Sequence, residues 1–283
     1  MIEFGCKLMK KLVLYIIIFL SSLVSCANKS GHRISSFTSS EIQVYESERL
    51  NQLEGTSDDL CLAIKTSQSS QLILKRIAYS LSYNPELLIP NWVAWCLTAD
   101  HAEGDCPRDN TFYEDEDVPF PKATNEDYRG SGWSRGHMCP AGDNKWDAEA
   151  MRESNMLTNI CPQHASLNSG LWNVIEHDCR KWAKKYGSVY IVCGPVLLNK
   201  KHETIGRNKV VVPEAFYKVI LRLNPEPSAI GFIVRNNEGM KKKDQFINTV
   251  DDVERITGID FFPFLEDSIE DKVEAYTNFE DWK

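Results

Sequence analysis

The stretch SNMLTNICPQHASLNSGLWNVIEHDCRKW (residues 154–182) contains the strongest pattern in the sequence. Apolar and aromatic residues recur there at helical spacing and predict a helix over residues 168–186. Four residues of this helix are spaced four apart, so that neighbours lie along one side: Asn168, Trp172, Glu176 and Arg180. Taken alone, Glu176 and Arg180 would be a solvated ion pair worth a few tenths of a kcal/mol.

A second stretch, SGWSRGHMCPAGD (residues 131–143), places Arg135 and His137 among glycines. Glycine permits tight turns and the close approach of another backbone. Most glycine-rich stretches are plain loops. By itself, this stretch therefore supports no function.

Together the two stretches resemble the DNA/RNA non-specific endonucleases of the ββα-metal (His-Me finger) superfamily. The resemblance rests on SRGH (134–137) and NICPQ (159–163), followed in order by Asn168, Glu176 and Arg180. It extends over roughly residues 72–256. It implies an α+β fold in which a central, mostly antiparallel sheet is flanked by helices.

The resemblance also implies a catalytic set. His137 would be the general base, and a neutral imidazole can take a proton from water near physiological pH. Asn168 would hold the metal, and its amide oxygen suits Mg²⁺, with Mn²⁺ as an alternative. Arg108 would stabilise the transition state and Glu176 would orient water or an arginine, while Asn159 supports the finger.

The implied substrates are DNA and RNA, bound through phosphate by Arg135 and Arg180, because a guanidinium offers a fork of donors. The formal net charge of the chain is −8, so any basic groove must be local. One residue departs from the family pattern. Ser134 occupies the position of the family's aspartate, and its hydroxyl brings no charge.

Two other functions are compatible with parts of this pattern. A non-catalytic, nucleic-acid-binding surface lipoprotein on a decayed nuclease fold would explain Ser134. A phosphatase or phosphodiesterase for small substrates is disfavoured, because the sequence lacks clustered Asp and His ligands for two metals.

The N-terminus predicts export. Basic residues and an apolar run (12–20) form a signal peptide over residues 1–25, and the segment ending at Cys26 resembles a lipobox. We expect lipidation of Cys26 and anchoring at the outer membrane or cell surface, with ordinary secretion as the alternative. A flexible tether over residues 26–71 and an endonuclease domain over 72–283 would follow; the oligomeric state is left open.

The other predictions concern cysteines and secondary structure. Nine cysteines leave an odd number once Cys6 and Cys26 are set aside, and Cys96–Cys106 and Cys139–Cys161 are candidate disulfides in an exported protein. The patterns predict strands over 92–97, 189–193, 215–223 and 229–234, and helices over 146–154 and 246–256. The acidic C-terminal residues are expected to cover the surface.

Overall fold

A seven-stranded antiparallel sheet forms the centre of the computed structural model, which describes Lys65–Thr66 and residues 71–283 except 238, 240 and 264. Numbered in chain order, its strands lie side by side as β12 (Ile247–Asn248), β11 (Ser228–Arg235), β10 (Ala215–Arg222), β7 (Ser188–Val196), β4 (Ile89–Thr98), β3 (Ser80–Asn84) and β2 (Leu72–Lys75). The fold predicted from the resemblance is confirmed.

Three short strand pairs lie outside this sheet: β1 (Lys65–Thr66) with β13 (Ile259–Asp260), β5 (Ser134–His137) with β6 (Ile160–Gln163), and β8 (Thr204–Ile205) with β9 (Val210–Val211). The helices are α1 (Asn125–Tyr128), α2 (Ala148–Ser154), α3 (Ala165–Leu167), α4 (Asn173–Tyr186), α5 (Val250–Thr257) and α6 (Asp267–Ala275). Short 3₁₀ turns complete the structure at His101–Glu103, Ala141–Asp143, Leu157–Asn159, Lys243–Phe246 and Phe279–Trp282.

The central strands were predictable because both of their faces are buried. Every residue of β10 is buried, so the strand appears in the sequence as a nearly continuous apolar run. The four predicted strands are confirmed in β4, β7, β10 and β11, although β10 ends at Arg222, one residue before its predicted end. Strands β2, β3 and β12 of this sheet were not predicted.

Two layers cover the sheet, because successive side chains of a strand point to opposite faces. On one face, here called the finger face, Val93, Trp95 and Ile191 share a core with Trp172 and Ile175. The other face, here called the α5–α6 face, is a second core. It joins residues of the sheet to both helices: Trp92, Ala94 and Val192 to Val250, Val253 and Val273.

The helix predicted over residues 168–186 is wrong at its start. Residues Asn168–Trp172 form a π-helical turn, and Gly170 has φ −103° and ψ −114°, outside the helical region. The α-helix itself begins at Asn173. Apolar spacing continues through the break, so the pattern alone did not reveal it.

Two other elements differ from prediction. The helix expected over 246–256 begins at Val250, because the Thr249 side chain accepts a hydrogen bond from the backbone N–H of Asp252 and caps the helix there. The C-terminus does more than cover the surface, since Trp282 is buried against Trp182 with ring centroids 4.8 Å apart.

The candidate disulfides do not form. Neither Cys96–Cys106 nor Cys139–Cys161 is bonded, and the thiols of Cys106, Cys139, Cys161, Cys179 and Cys193 are free. Cys161 lies opposite Gly136 in the β5–β6 pair, and the Cys139 thiol instead accepts a contact from Asn144 Nδ2 at 3.4 Å. Cys61 and the whole predicted signal peptide, with Cys26, lie outside the described residues. No described helix is both long and apolar enough to cross a bilayer.

Candidate active-site cleft

The β5–β6 hairpin and the segment that follows it form a strand–strand–helix finger. His137, the last residue of β5, pairs with Ile160 at the start of β6. Asn159 fixes the turn behind them: its Oδ1 accepts from the backbone N–H of Cys139 at 2.9 Å, and its Nδ2 donates to the carbonyls of Cys139 and Ser154. Asn159 is fully buried, so it supports the finger and does not face the cleft.

Gly136 leaves room for the side chain of Gln163 on the neighbouring strand. A Cβ at residue 136 would lie 2.4 Å from Oε1 and 2.5 Å from Cβ of Gln163, closer than real Cβ contacts. Glycine is therefore favoured here by space and not by its backbone conformation, since its φ is not in the left-handed region.

His137 is held in one orientation by Asn155. The His137 Nε2 lies 2.8 Å from Asn155 Oδ1, and Asn155 Nδ2 donates to the carbonyl of Asp109 at 3.0 Å. Because that donation fixes which end of the amide faces the ring, Nε2 must carry the hydrogen. In the neutral ring, Nδ1 is then the atom with a free lone pair.

The electrostatic surroundings keep His137 neutral. The ring is 8% exposed, and burial lowers its pKa to about 4, an effect that the positive charge of Arg108 reinforces. The hydrogen bond that His137 donates to Asn155 opposes this shift in part. At pH 7 the imidazole is therefore an unprotonated base.

His137 faces a polar cleft of about 570 Å³. Residues of the finger, of the Arg108 loop and of the π turn and α4 share its lining: Arg108, Phe112, Ser134, Arg135, His137, Pro140, Ala141, Gly142, Asn168, Ser169, Asn173 and Glu176. The structure thus brings together five of the seven site residues predicted in this domain. Asn159 and Arg180 do not line the cleft.

Asn168 and Glu176 provide oxygen donors in this cleft. Asn168 lies at the start of the π turn and Glu176 in the first turn of α4. Burial, with a contribution from the charge of Asp143, raises the pKa of Glu176 to about 7. Within the part of the chain that the structure describes, the Glu176 carboxylate makes no hydrogen bond or ion pair, so its oxygens are available to a ligand.

Two predicted arginines differ in what they are free to bind. Arg135 lines the cleft, where its guanidinium lies 5.3 Å from the ring centroid of Phe112 and donates to the carbonyl of Asn125. Arg180 Nη1 is paired with Asp143 Oδ1 at 2.6 Å. The Asp143 carboxylate is 1% exposed, so its charge is directed at Arg180 and is not screened by water. Gly142 has no side chain, which leaves room for the Arg180 guanidinium beside it.

Sequence reasoning missed two residues, Asn155 and Lys218. Lys218 is fully buried in β10, with Nζ 4.9 Å from the Trp95 ring and 4.6 Å from the Trp172 ring. Burial alone would lower its pKa, but the nearby acidic groups, Glu176 and Asp143 among them, raise it overall. Lys218 therefore remains charged beneath Glu176. Neither residue belongs to a motif that could have revealed its role.

The chain is similar in sequence and in fold to known nucleases. Mitochondrial nuclease EXOG of Mus musculus is 41% identical over 208 residues, which cover 67% of this chain and 56% of that protein. Mitochondrial endonuclease G of Bos taurus is 33% identical over 203 residues, covering 66% and 68%. A chain in the crystal structure of the EndoG/EndoGI complex matches with a TM-score of 0.68 at 29% identity, over 75% of this chain and 93% of that one.

The chain spans only 56–59% of the length of its EXOG relatives from mouse, human, frog and zebrafish. The family model described as "DNA/RNA non-specific endonuclease" nevertheless matches residues 59–268, well over half of this chain. That range contains the whole finger and every residue lining the cleft. With the fold, the cleft and this match in agreement, the chain belongs to the DNA/RNA non-specific endonuclease family.

Proposed function

We propose that this protein is a metal-dependent endonuclease that hydrolyses phosphodiester bonds of DNA and RNA with little sequence preference. One observation supports this above all: a neutral histidine of fixed orientation shares a polar cleft with Asn168 and Glu176, whose side-chain oxygens are of the type that hold a divalent cation. Phosphate contacts carry no sequence information, which suits cleavage without sequence preference.

His137 is the general base. The attacking water gives its proton to Nδ1 and its oxygen forms a bond to phosphorus. The bond from phosphorus to the leaving sugar oxygen breaks, and that oxygen takes a proton from solvent water. Because burial and Arg108 hold the pKa of His137 at about 4, the base is available at neutral pH without prior deprotonation. Asn155 keeps the hydrogen on Nε2 and so leaves Nδ1 free to accept.

Asn168 and Glu176 fit a hard divalent cation. An amide oxygen and an unpaired carboxylate are the donors that Mg²⁺ takes in proteins, with water completing its shell, and Mn²⁺ accepts the same donors. When bound, Mg²⁺ would neutralise charge on the phosphoryl and leaving oxygens. Lys218 places a positive charge beneath Glu176, which limits how far the pKa of that carboxyl rises.

Arg108 and Arg135 are the phosphate-binding residues. Arg108 is exposed at the cleft, where its charge acts on both His137 and Glu176. A guanidinium there can stabilise negative charge that develops on the phosphoryl oxygens. Arg180 acts instead through Asp143, as a structural residue below the cleft. Ser134 lines the same cleft with a neutral hydroxyl.

Cleavage assays test the proposal directly. The purified full chain is incubated with supercoiled plasmid and with RNA, in Mg²⁺, in Mn²⁺ and in excess EDTA. We expect both substrates to be cut in Mg²⁺ and neither in EDTA, with rates that fall as salt screens the phosphate contacts. Cleavage that persists in EDTA, or no cleavage with either metal, would contradict the proposal.

We also propose that the protein is exported and anchored through lipid on Cys26. The support is the signal-like sequence of residues 1–25 alone. Expression of the full chain and of Cys26→Ala, followed by membrane fractionation and intact mass measurement, tests it. The wild-type chain should carry an acyl mass in the membrane fraction, and the variant should not. A wild-type chain cleaved without lipid would refute the anchor.

A further inference from the structure

Three carboxylates come together on the α5–α6 face, on helices that take no part in the cleft. Asp251 and Glu254 belong to α5 and Glu274 belongs to α6. One oxygen of each lies within 4.8 Å of the other two. Within the described residues, none of the three forms an ion pair. The cluster therefore concentrates negative charge without a counter-ion from the chain.

Helix spacing, a backbone hydrogen bond and core packing hold the three carboxylates close together. Asp251 and Glu254 are three residues apart, so they share one side of α5. The backbone N–H of Phe261 donates to Glu254 Oε1 at 2.8 Å and fixes that side chain. Val253 of α5 and Val273 of α6 are buried in the same core, which brings Glu274 against α5. The positions are thus set by packing and not by attraction between the carboxylates.

Glu274 is the buried member of the cluster, and one of its oxygens has no hydrogen-bond partner within the described residues. It is 7% exposed, and its Oε1 is buried with no hydrogen-bond partner. Burial, followed by the charges of Glu254 and Glu270, raises its pKa to about 9. Without a cation, Glu274 therefore stays protonated at neutral pH, which avoids the cost of a buried unpaired charge. A cation that displaces this proton would have the oxygens of all three side chains as ligands.

We propose that Asp251, Glu254 and Glu274 bind a divalent cation of the Ca²⁺ type. Ca²⁺ binds carboxylate oxygens at about 2.3–2.6 Å, so two oxygens bound to one ion lie at most about 5.2 Å apart. The three oxygens, all within 4.8 Å of one another, satisfy that limit. Three carboxylates leave further positions for water, which reaches the cluster because Asp251 is exposed.

The bound cation ties α6 to α5 and so holds the C-terminal segment on the sheet. It is a structural site, separate from the catalytic metal proposed for the cleft. Anything that binds the folded state alone stabilises it by mass action. Ca²⁺ should therefore raise the thermal unfolding midpoint of the protein.

The test uses Ca²⁺ alone, without nucleic acid, and the full chain carrying Asn168→Ala to remove the amide ligand of the cleft. Isothermal titration calorimetry should find one Ca²⁺ site in this background. Adding Glu274→Gln should weaken binding at least tenfold and abolish the Ca²⁺-induced rise in the unfolding midpoint. Adding Asp271→Asn, the same loss of charge at an exposed position of α6, should leave both unchanged.

Asp251→Asn provides a second variant at an exposed position, in case Glu274→Gln does not fold. It should also weaken Ca²⁺ binding. Ca²⁺ affinity that is unchanged by both substitutions would overturn the inference, as would a protein that binds no Ca²⁺ at all. Because the readouts are binding and stability, neither result depends on whether the protein cuts nucleic acid.

Discussion

The two faces of the sheet treat buried charge in opposite ways. On the finger face, Asp143 is paired with Arg180, and Lys218 lies between two tryptophan rings beneath Glu176. On the α5–α6 face, Glu274 is buried among other carboxylates and has no partner within the described residues. On the finger face the chain gives Asp143 a counter-charge and surrounds Lys218 with aromatic rings, whereas the α5–α6 face depends on a cation from solution. Replacing a buried charged residue with methionine should therefore destabilise the protein on the finger face and, in EDTA, stabilise it on the α5–α6 face.

The largest effect is expected for Lys218→Met. Removing this cation takes a positive charge away from Glu176 and loses the contacts of Nζ with the Trp95 and Trp172 rings, and a buried cation–π contact is worth about 2 kcal/mol or more. Urea unfolding at pH 7 measures the loss. The control is Lys184→Met, which removes an exposed lysine paired with Glu103, and it should cost less than about 1 kcal/mol. Equal losses for the two variants would show that Lys218 is not a buried counter-charge.

Asn155→Ala should have the next largest effect. Without the Oδ1 acceptor, His137 can place its hydrogen on either nitrogen, and kcat should fall by about 10- to 100-fold. The hydrogen bond that His137 donates to Asn155 raises the pKa of His137, so without it the acidic limb of the kcat/KM profile should move to lower pH. Asn155→Asp adds a negative charge and should move it to higher pH. If the acidic limb of the kcat/KM profile lies at the same pH in both variants as in the wild type, Asn155 does not tune the pKa of His137 and its role is structural.

The smallest effect is expected for Glu274→Met, and its sign separates the two faces. In EDTA, removing a buried carboxyl that has no partner should stabilise the protein by about 1–2 kcal/mol. In Ca²⁺ the wild-type chain should recover or exceed that stability. Urea unfolding in the two solutions measures both. Destabilisation in EDTA would mean that an unrecognised partner satisfies Glu274.

Much of the cleft could be predicted from sequence, because its residues belong to motifs. His137 and Asn168 lie in short motifs whose order along the chain resembles that of the family. Both residues line the same cleft in the structure. Arg180 belongs to the same motif but is neutralised by Asp143. That pairing depends on a turn far from it in sequence, which no spacing of residues could reveal.

The remaining features depend on tertiary contacts. Lys218 interrupts an apolar strand, AFYKVILR, and a lysine there suggests a solvent-facing position, whereas the structure buries it beneath the cleft. Gly170 leaves the apolar spacing intact while it breaks the helix. The candidate disulfides Cys96–Cys106 and Cys139–Cys161 were wrong for a similar reason, because the spacing of cysteines in a sequence does not determine which thiols the fold brings together.

The central claim is that His137 takes a proton from the attacking water. Initial rates of plasmid cleavage by the wild-type chain and by His137→Ala, in Mg²⁺ at pH 7.5, test it most directly, with plasmid affinity measured on both proteins. We predict a rate about 10²- to 10⁴-fold lower in the variant, at nearly unchanged affinity. A His137→Ala protein that cuts as fast as the wild type would contradict the claim.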